Sequence, residues 1–191
     1  MHGETDESDR NDIAASLQGD GAAYARLVRR HEAAVTRQMA HYTRNPAELR
    51  ELVQEVFVEA YRALPGYRPQ APFAHWLSRI SSRAGYRHWK TLRRERERTV
   101  PLEEWHERTL AAPVENRTPS EAAELLYRLL ERLPAKDRLV LTLMYFEECD
   151  VRAIAERMGW SQTLVKVRAF RARRRLRSML EESGHGRKGH D

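Results

Sequence analysis

The sequence is poor in most of what staples, kinks or buries a chain. Cys149 is its one cysteine, so no disulfide can close within it. That excludes a disulfide-built secreted scaffold and suits a reducing cytoplasm. Nine glycines and eight prolines are few for 191 residues, and strand-like alternation of apolar and polar residues is absent. No apolar run approaches the ~20 residues that a membrane span needs. The polar, acidic start MHGETDESDRND is no signal peptide. Metal-ligand spacing, a phosphate-binding glycine loop and a nucleophile motif are all missing. His31, His75, His88 and Cys149 are scattered, which argues against an enzyme and gives no reason to expect a cofactor. What remains reads as all-α. Lysine occurs only at 90, 136, 166 and 188, so arginine carries nearly all the positive charge. The net charge of +6 favours nucleic acid or acidic partners and says nothing about fold.

The informative stretch is 150–177, DVRAIAERMGWSQTLVKVRAFRARRRLR. Val151, Ile154, Ala155 and Met158 share one helical face. Gly159 fits a left-handed turn that a Cβ would resist. Ser161 can cap a second helix, on which Val165, Ala169, Ala172, Leu176 and Met179 or Leu180 form a thin apolar stripe. Lys166, Arg168, Arg171, Arg173, Arg174, Arg175 and Arg177 surround that stripe with no acid among them. Small Ala155, turn Gly159 and apolar Val165 have helix-turn-helix spacing, in which the second helix enters the major groove. A plain helical hairpin with a solvated basic face would use similar residues. A block of like charge repels itself unless a polyanion neutralises it, which favours DNA.

Taken in order, residues 1–11 are polar and charged and read as a disordered N-terminus. A first domain spans 12–96. Ile13, Ala14 and Leu17 make an amphipathic turn or two, Gly19 ends it, and Asp20 caps a helix to about Tyr42. There Tyr24, Leu27, Val28, His31, Val35 and Met39 keep helical spacing. After Asn45-Pro46, a helix carries a wide face of Leu49, Leu52, Val53, Val56, Phe57, Ala60, Tyr61 and Leu64, expected to be buried. Its opposite face is mostly acidic. Two prolines stiffen the loop GYRPQAP. From Phe73 to about Arg94, Phe73, Trp76, Tyr86 and Trp89 interleave with Arg79, Arg83, Arg87, Lys90 and Arg93. Two readings stay open there. Such aromatics pack a core, or they hold unpaired bases at ~1–3 kcal/mol per stacked base. Residues 97–119, with little periodicity, read as a linker that includes Trp105 and Leu110. A second domain, 120–181, begins with a helix bearing Leu125, Leu126, Leu129, Leu130 and Leu133. Its next helix turns Leu139, Val140, Leu143, Met144 and Phe146 inward, and the helix-turn-helix completes it. The tail 182–191 reads as flexible.

Four motifs in this order resemble those of a sigma factor of the extracytoplasmic-function (ECF) group, in the sigma-70 family. They are ELVQEVFVEAYRAL (51–64), F-x-x-W-L-x-R-I (73–80), LLERLPAKDRLVLTLMYFE (129–147) and AIAERMGWSQTLVKVRAFRARRRLR (153–177). The resemblance covers 12–95 and 120–180. It implies two small helical domains, sigma region 2 and sigma region 4, that bind RNA polymerase core and promoter DNA. In the second, Phe170 and Arg171 match positions that contact the −35 duplex. Gln162 and Thr163 face the groove, and Lys166, Arg168 and Arg173 or Arg174 hold phosphates. In the first, the loop 66–73 with Tyr67, Arg68 and Phe73 matches the part that melts and reads the −10 element and captures a flipped base. Trp76, Arg79, Ile80, Arg83, Arg87 and Lys90 on the following helix belong with it. The helix 51–64 matches the surface that docks on the β′ clamp helices, through Glu51, Gln54, Glu55, Phe57 and Glu59. Region 4 would sit on the β flap. Family members are commonly held by an anti-sigma factor, often membrane-anchored. The resemblance thus implies a cytoplasmic protein, nucleoid-associated when active, with no small-molecule substrate.

The sequence departs from the family at several positions. Glu51 stands where many members have Asp, Arg83 where they often have Asn, Arg87 where they often have Asp, and Val167 where a small polar residue is common. The −35 and −10 consensus sequences therefore do not carry over. The rival class is a helix-turn-helix repressor or activator with a sensory N-terminal domain. It accounts for the C-terminal half and leaves 73–94 and the Gln54-Glu55 face unexplained.

Overall fold

The structure is a computed structural model that describes residues 2–99 and 119–182, and these are all-helical. The chain divides into two compact units, Met1–Trp89 and Lys90–Asp191. The first holds α1 (His2–Leu17), α2 (Gly21–Met39), α3 (Pro46–Ala63), a 3-10 turn (Leu64–Gly66) and most of α4 (Phe73–Thr99).

The N-terminus differs from expectation. Residues 2–11 belong to a helix, and its inner face is mostly polar: Asp9, Asp12 and Ser16 are buried with Ile13, while Leu17 is exposed. The partners are on α2. Arg30 donates through Nη1 to Asp9 Oδ1 at 2.5 Å and through Nη2 to Asp12 Oδ2 at 2.7 Å. Arg26 Nε donates to Asp12 at 2.8 Å, and His31 Nε2 lies 2.9 Å from Asp9 Oδ2. Buried charge is tolerated when it is paired and hydrogen-bonded. Burial acts to raise the Asp12 carboxyl, but the bonds from Arg30 and Arg26 outweigh it and hold the group below its ordinary value. An acidic segment looks disordered when its cations lie fourteen or more residues away on another helix.

α2 starts where Asp20 Oδ1 accepts from the N–H groups of Ala22 and Ala23, and α3 where Asn45 accepts from Ala47 with Pro46 in the first turn. Leu27, Val35, Met39, Leu52, Val56, Ala60 and Leu64 are the core between them. α4 closes the unit. The Tyr42 ring lies against its backbone at Gly85, leaving no room for a Cβ there. Trp89 Nε1 donates to Tyr42 O at 2.7 Å, which decides the open question for this tryptophan: it is core. Lys90, Thr91 and Arg93 to Glu95 are exposed, and the compact unit itself runs to Trp89. α4 also runs past Arg94 to Thr99. Most of the expected linker, including Trp105 and Leu110, lies outside the described residues, as does the tail from 183.

The second unit contains α5 (Pro119–Glu131), α6 (Ala135–Tyr145), α7 (Val151–Met158) and α8 (Gln162–Leu180). Leu129, Leu130 and Leu133 pack with Leu141, Ala172 and Met179 into its core, with Leu125, Phe146, Leu176 and Leu180 around them. Leu126 is exposed, because α5 turns that position outward.

Candidate nucleic-acid and partner interfaces

α7, its turn and α8 form the first surface. Asp150 caps α7 through the N–H of Ala153. Gly159 takes φ 69° and ψ 35°, and its N–H bonds to Ala155 O. Ser161 Oγ then accepts from Leu164 N at 3.1 Å and starts α8. Val165, Ala169, Ala172 and Met179 are sealed inward. That orientation leaves Gln162, Thr163, Lys166, Phe170, Arg171, Arg173 and Arg174 exposed together. Phe170 is 62 % exposed. Among the described residues, no acid pairs with Lys166, Arg171, Arg173 or Arg174. Arg168 stands apart from the expected phosphate-holding group. Its Nη1 donates to buried Asp137 at 2.8 Å, and its guanidinium lies 5.9 Å from the Trp160 ring. It ties α8 to α6. Cys149 is buried just before α7, and burial first, then Glu147 and Asp150, push its thiol up against the opposing pull of Arg157.

The second surface is the loop before α4. The Tyr67 hydroxyl donates to Ala71 O at 2.8 Å and closes the loop on itself. Its ring meets Phe73 and Trp76 edge-on at 5.7 and 5.2 Å. Phe73 is 2 % exposed and touches the His31 ring, so it anchors the loop to α2. Trp76 and Ile80 are half-buried, and Arg68, Arg79, Arg83 and Lys90 are exposed. Arg87 is not with them. Its Nη2 bonds to Glu55 Oε1 at 3.1 Å and also to Glu59. Two residues expected on the polymerase face thus hold one expected on the DNA face. The pair is half-exposed, so water screens it and its contribution is ~0–1 kcal/mol.

The third surface is a groove of about 900 Å³ between α2 and α3. Tyr24, Val28, Leu49, Val53, Phe57 and Tyr61 line it, with Arg50 and Gln54 at its edge. Several of these were expected in the core. The apolar face of α3 is wider than its neighbours can cover: Leu52, Val56 and Ala60 go inward, while Tyr61 stays 51 % exposed. Of the residues expected to dock on polymerase, Gln54 and buried Phe57 line the groove, while Glu51 and Glu55 are exposed outside its lining and Glu55 bonds Arg87. That excess width was the one sequence signal for a groove.

Comparison with known proteins bears on both units. A Sigma-70 region 2 family model matches residues 27–95, and a Sigma-70 region 4 model matches residues 123–176. The ECF RNA polymerase sigma factor SigM of Mycobacterium tuberculosis is 30% identical over 180 residues, spanning 93% of this chain and 87% of that protein. The chain belongs to the ECF sigma factors. Other members are similar along nearly the whole length. RNA polymerase sigma-H factor of Pseudomonas aeruginosa is 27% identical over 185 residues, covering 93% of this chain and 96% of the relative. Among solved structures, CnrH in complex with the cytosolic domain of CnrY shares the fold with a TM-score of 0.58 at 24% identity, over 92% of this chain and 98% of that one. The sigma factor RpoE bound to the anti-sigma factor NepR, from Bartonella quintana, does so at 0.58 and 19%, over 83% and 96%. In this ECF sigma factor the region 4 match contains the α7–α8 surface, and the region 2 match contains the loop and most of the groove. α1 precedes the region 2 match. Among the described residues no helix is long and apolar enough to cross a membrane.

Proposed function

We propose that this ECF sigma factor binds RNA polymerase core and places it at a specific set of promoters. α8 reads the −35 element as duplex, and the loop 66–73 with α4 reads the −10 element as a melted strand. The observation that carries this is the division of α8. One stripe is sealed into its own domain, while Lys166, Arg171, Arg173 and Arg174 are exposed around Phe170 with no acidic partner among the described residues. Such a surface gains free energy from phosphates by releasing counterions, while Gln162, Thr163 and Arg171 can reach base edges. In the first domain Arg68, Arg79 and Arg83 supply charge to a displaced strand, and half-buried Trp76 supplies a ring for stacking.

The groove between α2 and α3, lined by Gln54 and Phe57, together with exposed Glu51 and Glu55 on the same helix, is the docking face for the β′ clamp helices, and region 4 sits on the β flap. An anti-sigma factor, membrane-anchored where it has a span, competes for the same apolar groove in the manner of a helix laid into a hydrophobic channel. The role is non-catalytic and cytoplasmic: nucleoid-associated when active, at the inner membrane when held there. Run-off transcription with purified core polymerase on a pool of promoter fragments tests the reading. Initiation from discrete sites only when this protein is added is the expected result. DNA binding without core-dependent initiation would instead make the protein a repressor or activator.

A further inference from the structure

A second, smaller cavity of about 130 Å³ lies where α1 meets the loop before α4. Tyr67, Gln70 and Phe73 come from the loop, and Asp6, Asp9 and Arg10 from α1. Asp9 is committed to Arg30 and His31. Asp6, Arg10 and the side chain of Gln70 are not: among the described residues none of the three has a hydrogen-bond or ion-pair partner. Asp6 is half-buried. Its charge is felt inside, since the Tyr67 hydroxyl is pushed up by burial first and then by Asp6 and Asp9, with Arg10 opposing. Arg10 and Gln70 are exposed to water, but the half-buried Asp6 carboxylate beside the Tyr67 ring is placed to meet a planar polar ligand.

We propose that α1 forms one wall of the base-reading pocket, and that Asp6 makes it select a base bearing an exocyclic amino group over thymine. The inference rests on the reading of loop 66–73 as the element that captures a flipped base. A carboxylate is an acceptor only. It accepts from the amino group of cytosine, adenine or guanine, whereas thymine has no such group and its one donor, N3–H, is flanked by two carbonyl oxygens that the carboxylate repels. The edge of Tyr67 bounds the ring, and Gln70 and Arg10 serve the base's own acceptors. The same negative charge keeps phosphates out, so the strand's backbone is left to the cations of α4.

The test is transcription by core polymerase with the full-length protein on promoters randomised through the −10 element, sequencing the templates that initiate. With the wild type, thymine is depleted at one position of the melted strand. Asp6→Asn keeps the shape but adds a donor for a carbonyl. It should raise thymine acceptance there by about tenfold, leave the other positions unchanged, and keep the wild-type circular dichroism. A uniform change in yield at every position is an electrostatic effect on DNA and would overturn the proposal, as would an unchanged profile. Tyr67→Ala, run in parallel, separates the two layers. If it flattens the −10 profile while Asp6→Asn is silent, the role of α1 falls and the loop reading stands. If both are silent, the loop reading itself falls.

Discussion

At the scale of single residues, the arginines of α8 divide by what their charge is tied to, and sequence alone could not divide them. Arg168 and Arg174 are both basic residues on one short helix, but Arg168 bonds Asp137, which is 5 % exposed. Removing it strands a buried carboxylate, so Arg168→Ala should destabilise the C-terminal unit by about 1–3 kcal/mol in thermal or urea unfolding. Arg174 is exposed without an acidic partner among the described residues. Arg174→Ala should leave stability alone, weaken binding to all DNA sequences alike and reduce the slope of log K against log salt by about 1. The N-terminal unit offers a pH test. The folded pKa of Asp12 is below its ordinary value of 3.8. Its stabilising contribution is therefore complete above that value and is lost as pH falls through the lower folded one. Asp12→Asn should lower stability at neutral pH and flatten its acid decline, measured by thermal unfolding from about pH 7 to about pH 3. An acid limb as steep as the wild type's would mean that other carboxylates carry it.

At the scale of elements, two glycines show what spacing reveals and what it hides. Gly159 was legible, because a glycine between two helical periods implies a left-handed turn, and its φ is 69° with open space around it. Gly159→Ala should cost about 1–2 kcal/mol, from backbone strain alone. Gly85 sits in mid-helix, where glycine normally weakens a helix relative to alanine. Here a Cβ would overlap the Tyr42 ring. Gly85→Ala should therefore destabilise the N-terminal unit by about 1–3 kcal/mol through overpacking, against the helix-propensity expectation of a gain. Pairing it with Tyr42→Leu should recover part of that loss in the same denaturation assay, unless losing the Tyr42–Trp89 contact outweighs the relief. The α3 face follows the same logic. Periodicity finds an apolar stripe, but only neighbouring helices determine which part is core and which is groove.

At the scale of the whole molecule, each unit has its own core. The prediction is that fragments 1–99 and 119–191, expressed separately, each show helical circular dichroism and a cooperative thermal transition. A fragment that melts without a transition would mean that its core needs the other half. The sequence by itself determined most of the helices, the caps at Asp20 and Ser161, the helix-turn-helix and the family. Those depend on local spacing and on turn chemistry within a few residues. Tertiary structure decided the rest: that residues 2–11 are helical, that Arg168 and Arg87 are held by acids on other helices, that Phe73 is an anchor, and that α1 reaches the loop. Each of these turns on a partner distant in the chain. Charge and apolar character can be read residue by residue, but whether a group is satisfied depends on what folding brings beside it.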